Sequence, residues 1–198
     1  MNAAVLLRQK VLDLAIRGKL TKREKDDEPA SALLARVVAE KEKRNAKVGR
    51  VRTSAVPQPI PDDEKPFTVP KGWEWSRLGT LCEIVSKGTT PTGGKNGYAS
   101  TGVNFIRAES IGVDGFINLK DIRFISESVH VGRLRRSKLS EGDVLITIAG
   151  TLGRTGVVRK IDLPANTNQA VCFIRLLRRS DIDEKYIRFH YHPMFEFC

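Results

Sequence analysis

The spacing of apolar and polar positions divides the chain into two unlike parts. From Ala3 to Arg17, Leu7, Val11, Leu14 and Ala15 recur at three- and four-residue steps, which puts them on one stripe of a helix. Gly18 is placed to stop that helix. A polar stretch from Thr21 to Asp27 follows. A second helix opens at Asp27-Glu28-Pro29, because acidic residues suit the positive end of a helix dipole and proline suits the first helical position. Its apolar face is Leu33, Leu34, Val37 and Val38. The residues from Glu40 to Arg52 are nearly all charged and form either a solvated helical extension or a fraying tail.

Residues 55–66 carry four prolines, Pro57, Pro59, Pro61 and Pro66. They exclude regular hydrogen-bonded structure and predict an extended linker. Beyond it, short apolar segments alternate with glycine-rich turns. Strands are predicted at Leu78–Val85, Val103–Ala108, Ile122–Ile125, Val144–Ile148, Gly156–Val158 and Ala170–Leu177, and helices at Ser126–Arg136 and Ile182–His192. Strand and helix do not alternate regularly, so a doubly wound sheet is excluded. The expected fold is α+β: an N-terminal helical hairpin (1–54), a proline-rich linker (55–66), and a second domain (67–198). That domain should hold a mixed or antiparallel, strongly curved β-sheet with short helices. No internal repeat is present. Trp73 and Trp75 share one face if extended, which suits core packing.

Charge sharpens the picture. The 198 residues carry a formal net charge of +11, with a pI near 9.8. From Phe67 onward there are 19 Lys and Arg against 13 Asp and Glu, so the excess is not confined to the helical part. Such a balance favours an anionic partner, nucleic acid foremost; the alternative is a basic protein that is merely soluble. The three cysteines, Cys82, Cys172 and Cys198, include no C-x-x-C pair, which argues against a disulfide framework and a zinc site. No secretory signal opens the chain and no apolar run reaches the roughly 18 residues of a membrane span, so a reducing cytoplasm is expected.

The search for chemistry is mostly negative. Gly150-Thr151-Leu152-Gly153-Arg154-Thr155-Gly156 lacks the lysine–hydroxyl pair of a phosphate loop and precedes a β-like run; it reads as a turn between strands whose glycines still let backbone amides or Arg154 near a phosphate. Asp62, Asp63, Glu64 and Lys65 are adjacent in the proline linker, not spread over strands as metal-dependent nuclease centres require. His130, His190 and His192 offer no metal set, and no G-x-S-x-G nucleophile turn occurs. No catalytic residue, metal or cofactor is expected.

What remains suits binding. The loop from Ser86 to Tyr98 presents hydroxyls, lysines, an amide and an aromatic ring, groups that meet phosphates and base edges; an ordinary surface loop is the alternative. The candidate DNA contacts are Lys87, Thr89, Thr90, Thr92, Lys95, Asn96 and Tyr98, with Arg107 and Arg154 beside other loops. Arg133, Arg135, Arg136 and Lys138 add positive charge. In the hairpin, Leu7, Val11, Leu14, Leu33, Leu34 and Val37 form a surface that either docks another subunit or packs on the chain's own second part.

These segments, taken in order, resemble a known family. "LDLAIRGKLTKREKDDEPASALLARVVAEKEK" (Leu12 to Lys43) looks like the spacer of type I restriction–modification specificity subunits. Val69-Pro70-Lys71-Gly72-Trp73-Glu74-Trp75-Ser76-Arg77-Leu78-Gly79 is similar to the family's lead into a target recognition domain. Gly88-Thr89-Thr90-Pro91, Asp143-Val144-Leu145-Ile146, Gly150-Thr151-Leu152-Gly153-Arg154 and Asn168-Gln169-Ala170-Val171 match later features of that domain.

The resemblance implies a non-catalytic subunit that reads one half of a split site on double-stranded DNA. Partner subunits would then methylate, using S-adenosylmethionine, or cut, using ATP. It implies docking to the methylation subunit and, through it, to the motor and nuclease subunit. The family carries two recognition domains and this chain one. The expectation is therefore a half-subunit able to pair with a second copy, a truncated product, or a fragment whose domain is cut short at its C-terminus. Two other readings stay open: an assembly module that binds the methylation subunit without reading DNA, and a small stand-alone enzyme.

Overall fold

The first helix follows its apolar spacing and runs over Ala3–Ile16 (α1). It ends as Gly18 predicts. Gly18 takes a φ of 64°, and the amides of Gly18 and Lys19 donate back to Ala15 and Leu14 at 3.0 and 2.8 Å, the hydrogen-bond pair of a left-handed helix stop. A side chain at Gly18 would also lie 2.9 Å from the Trp73 ring. A computed structural model describes residues 3–22, 24, 26–47, 59–93, 97–178 and 180–191. They form two compact units that divide between Glu83 and Ile84.

The second helix, Ala30–Lys47 (α2), begins just after Pro29. Much of the charged stretch that follows its apolar face is therefore helical; residues 48–52 lie outside the described residues. Pairs at helical spacing and beyond line it: Arg36 with Glu28, and Arg44 with Glu40 at 2.8 Å and with Glu83 at 3.0 Å. The segment after the linker folds onto these helices. The Ala30 amide donates to the Gly72 carbonyl at 2.9 Å, and the Lys41 ammonium donates to the Gly79 carbonyl. Trp75 meets the Phe67 ring edge-on at 4.8 Å and donates to its carbonyl at 3.1 Å. The Arg17 guanidinium lies 4.5 Å from the centre of the same ring.

Two sequence expectations change here. Asp62–Glu64, inside the proline-rich stretch, forms one 3-10 turn. The predicted strand at Leu78–Val85 is instead one helical turn, Leu78–Leu81 (α3), then a strand, Cys82–Lys87 (β1). Leu78 and Leu81 are three apart, on one face of a helical turn and on opposite faces of a strand, but so short an apolar run does not by itself separate the two. The Cys82 thiol donates to the Leu78 carbonyl at 3.0 Å and closes the turn.

The second unit is built on two sheets. Strands Val103–Ile106 (β2), Arg123–Ile125 (β3), Val144–Thr147 (β4), Thr155–Val157 (β5), Ala165–Thr167 (β6) and Val171–Leu176 (β7) join β1 in the orders β1-β7-β4-β5 and β3-β2-β6. β4 pairs antiparallel with β5 and β7; β2 pairs antiparallel with β3 and parallel with β6. The single, strongly curved sheet expected from the sequence is thus replaced by two smaller ones, and strong curvature is shown in neither. The helix predicted at Ser126–Arg136 is shorter, Glu127–Val131 (α4), with Ser126 as its N-cap and Gly132 at its end; a separate 3-10 turn follows at Arg135–Ser137. Glu184–Tyr191 (α5) matches the last predicted helix, with His192 outside the described residues.

β6 was not expected. It is three residues long, follows a proline, and carries Asn166 and Thr167. Both are fully buried, and both are satisfied. The Asn166 amide nitrogen donates to the Leu134 carbonyl at 2.8 Å and the Ser137 hydroxyl at 3.3 Å, and its oxygen accepts from His130; the Thr167 hydroxyl donates to the Ile106 carbonyl at 2.9 Å. The larger core cluster gathers Ile106, Ile111, Leu145, Val171 and Phe173; the smaller one holds Val103, Phe105, Ile125 and Leu134. Asp143, at 0% exposure, accepts from both arms of Arg175 at 2.8 and 2.7 Å and from the Ser140 amide at 2.8 Å. Removing one partner of a buried pair strands the other. Asp143→Ala is expected to cost about 3 kcal/mol, read as a lowered urea midpoint with an unchanged slope.

Candidate nucleic-acid interface

Because β2 and β6 run parallel, their C-terminal ends leave the sheet on one edge. Arg107 and the 3-10 turn Ala108–Ser110 follow β2, and the turn Asn168–Ala170 follows β6. Two further loops come to that edge. The β4–β5 loop is joined by the Ile148 amide to the Ala170 carbonyl at 2.8 Å, and by the Thr151 hydroxyl to the Ala108 carbonyl at 3.3 Å. The loop after β1 is joined by the Gly88 amide to Val171 at 3.1 Å and the Thr89 amide to Thr167 at 3.0 Å. A Cβ on Gly88 would lie 2.0 Å from the Thr167 carbonyl oxygen, so only glycine permits this approach.

The candidate residues separate on this frame. Lys87 and Thr89 are exposed at the mouth of the first loop. The Thr90 hydroxyl donates to the Gln169 side chain, tying the loop to the turn after β6. Thr92 is exposed and accepts from Arg133 at 3.0 Å. Lys95 and Asn96 lie outside the described residues. Tyr98 is half-buried, its ring tilted against Phe105 at 5.6 Å, so its main work is packing. A hollow of about 360 Å³ opens beside it, with Thr92, Ser126 and Arg133 on its walls.

Arg107 and Arg154 are more committed than their positions suggested. The Arg107 guanidinium donates to Glu109 at 3.0 Å and the Asp121 carbonyl at 3.5 Å. Arg154 donates to the Ile111 carbonyl at 3.1 Å. Both brace loops. Gln169 and Arg133 are the loop-holding partners that sequence reasoning missed: Gln169 stood out only within a stretch resembling the family and Arg133 only as added positive charge, and nothing in the sequence marks either as a partner of the first loop.

Three further groups are shifted by their surroundings. Burial pushes the His190 imidazole below its usual value, so it is neutral at pH 7. Burial pushes the Cys172 thiol up, away from the reactive thiolate. Asp62 is held below its usual value by a hydrogen bond from Lys65, and Glu64 pairs with Arg77. Among the described residues, no three His, Cys, Asp or Glu gather as a metal set, and no helix is long and apolar enough to cross a membrane.

In the helical unit, Leu7 is 66% and Val11 40% exposed, Leu14, Leu33 and Leu34 are half-buried, and Val37 is fully buried. Val37 is therefore not exposed on the surface of the helical unit.

Comparison with known proteins gives these loops a context. The chain is 35% identical over 176 residues to the type I restriction enzyme EcoAI specificity subunit of Escherichia coli, covering 83% of this chain and 28% of the relative. It is a homologue of type I restriction specificity subunits. The EcoEI specificity subunit of Escherichia coli is 30% identical over 188 residues, 93% of this chain and 28% of the relative. The EcoBI subunit is 26% identical over 170 residues, 84% and 29%. The chain thus spans under a third of the length of these specificity subunits. No family model matches. Among solved structures, the HsdS subunit from Thermoanaerobacter tengcongensis aligns with a TM-score of 0.47 at 17% identity, over 96% of this chain and 39% of that one. A chain from a type I R-M system structure aligns with a TM-score of 0.49 at 18% identity, over 96% and 40%.

The joint at Gly88 is directly testable. Gly88→Ala forces the Thr167 carbonyl aside and is expected to cost about 2 kcal/mol, with faster hydrogen exchange at the Thr89 amide than in the unaltered chain.

Proposed function

We propose that this chain supplies the DNA-reading part of a type I restriction–modification specificity subunit and has no chemistry of its own. The observation that carries this is the 35% identity to a specificity subunit over most of the chain. The loop-bearing edge supports it, as does the basic excess from Phe67 onward, 19 Lys and Arg against 13 Asp and Glu. Double-stranded DNA is the ligand. Methylation and cleavage fall to a methylation subunit and, through it, a motor and nuclease subunit, in the cytoplasm. A second half-subunit or a second copy of this chain would complete a split site.

Within that reading, Lys87, Thr89 and Thr92 are the leading contacts, with Lys95 and Asn96 between Thr92 and Tyr98 in the same loop. Thr90, Tyr98, Arg107 and Arg154 shape the surface they act from. Residues 1–54 serve as spacer and docking segment, 55–66 as linker, and 67–198 as the target recognition domain. Leu7 and Val11, with Leu14, Leu33 and Leu34 beside them, make the docking surface. The exposed Leu6, Leu7 and Val11 also favour a second reading, an assembly module that binds the methylation subunit and reads no DNA.

Duplex binding by the chain decides between them. Contact with four to six phosphates gives a log–log salt slope of about −4 to −5. Lys87→Ala is expected to weaken all duplexes alike and to reduce that slope by about 1. Equal affinity for every duplex sequence, with the methylation subunit still captured, would favour the assembly reading.

A further inference from the structure

Residues 128–140 carry four cations, Arg133, Arg135, Arg136 and Lys138, and no carboxylate. Unlike the arginines that brace loops, Arg135 and Arg136 are exposed, and their guanidinium groups donate to no acceptor among the described residues. Their backbone, by contrast, is fixed. Leu134 and Ser137, on either side of the pair, are buried. The Leu134 amide donates to the Val129 carbonyl at 2.9 Å, and the Leu134 carbonyl accepts from the Asn166 side chain at 2.8 Å and the Ser137 hydroxyl at 3.1 Å. The segment is thus anchored through its buried residues, and it leaves two guanidinium groups exposed.

Register places this pair toward the loop-bearing edge. The Leu139 amide donates to the Ala165 carbonyl at 2.9 Å, and Lys138 bridges Asn166 antiparallel to β6. Passing back from Leu139 to Arg135 therefore leads toward the C-terminal end of β6, where the turn Asn168–Ala170 leaves the sheet. Independently, the Arg133 guanidinium donates to Thr92 of the first loop at 3.0 Å. The edge also carries carboxylates. Glu109, 59% exposed, holds Arg107 at 3.0 Å, and Asp121 accepts from the Asn118 amide at 2.5 Å. Neither these nor Glu127 and Glu141, which flank the segment in sequence, pair with Arg133, Arg135 or Arg136. A guanidinium keeps its charge and matches a phosphate with two parallel N–H groups. Phosphate contacts position a protein on a duplex without reading its sequence, so they suit a fixed segment beside a loop that carries reading groups. Resting on the DNA-reading assignment above, we propose that Arg135 and Arg136, with Arg133 beside them, grip the sugar–phosphate backbone of the duplex along the margin of the first loop and supply binding without sequence preference.

Salt titration of duplex binding by the full 198-residue chain tests this, with duplexes of several unrelated sequences as probes. Arg135→Gln and Arg136→Gln are each expected to weaken all of them by the same factor. Each should make the log–log salt slope shallower by about 1, and the double variant by about 2. The double lysine variant, Arg135→Lys with Arg136→Lys, keeps the charge and should keep the slope. Lys160→Gln removes an exposed charge from the turn before β6, at the opposite end of that strand, and should leave the slope unchanged. Because all these side chains are exposed, an unchanged melting temperature is expected throughout. An unaltered slope in the double glutamine variant would overturn the proposal. So would a loss confined to one duplex sequence, the mark of base reading, or an equal loss in Lys160→Gln, the mark of net charge acting at a distance. Unchanged duplex binding with lost capture of the methylation subunit overturns it in favour of an acidic protein surface. If the unaltered chain binds no duplex at low salt, the DNA-reading assignment and this inference fall together; duplex binding that survives every substitution removes this inference alone.

Discussion

Two backbone hydrogen bonds, from Gly88 to Val171 and from Thr89 to Thr167, carry the organisation of the loop-bearing edge. β6 belongs to the three-stranded sheet and β7 to the four-stranded one, so the chain leaving β1 is fastened to both at once. The fastening requires that nothing project from residue 88, since a Cβ there would sit 2.0 Å from the Thr167 oxygen. Given this joint, the rest follows in sequence. The parallel pairing of β2 with β6 brings Ile106 and Thr167 to the same edge, the turn after β6 receives Thr90 through Gln169, and that same turn receives the β4–β5 loop through Ile148.

Buried carboxylates stabilise the frame behind this edge by a device used twice. Asp143 accepts from the amide of Ser140, three residues earlier, and from Arg175; Asp162 accepts from the amide and guanidinium of Arg159, also three residues earlier. Both aspartates are at 0% exposure. Each closes a tight turn with one oxygen and holds an arginine with the pair, which satisfies a charge that would be costly to bury alone. The consequence for function is subtractive. Arg107, Arg154, Arg159 and Arg175 count toward the basic balance, yet their donors are turned to carboxylates and carbonyls of the protein itself. Net charge describes the field a nucleic acid feels on approach; it overstates the number of cations free to touch it.

That distinction explains what the sequence shows and what it hides. α1 and α2 are legible because their apolar residues keep helical period over several turns, and Gly18 because a left-handed stop has few other occupants. Leu78–Leu81 is ambiguous because four residues carry no period. β6 is hidden because its two polar side chains look like a loop until their buried partners, Leu134, Ser137, His130 and Ile106, are known. The candidate site shows the same limit. Loop position is legible at Lys87, Thr89 and Thr92, while the difference between a free arginine and a bracing one at Arg107 or Arg154 depends on carbonyls far away in the chain.

The joints that shape the edge are made largely by main chain. Gly88, Thr89 and Ile148 donate through their amides to the carbonyls of Val171, Thr167 and Ala170, so the side chains of Thr89 and Ile148 are not needed to hold the loops. Lys87 likewise projects from a frame that other atoms maintain. Exchanging such side chains alters what the edge offers to a ligand at little cost to the fold, since exposed substitutions away from caps and buried networks rarely move stability by more than about 0.5 kcal/mol. Gly88, Asn166, Thr167 and Asp143 lack that freedom, because each is fixed by a close approach or a buried partner. An edge of this construction separates the side chains that hold it from those that can vary, and it lets one scaffold present different groups to a ligand.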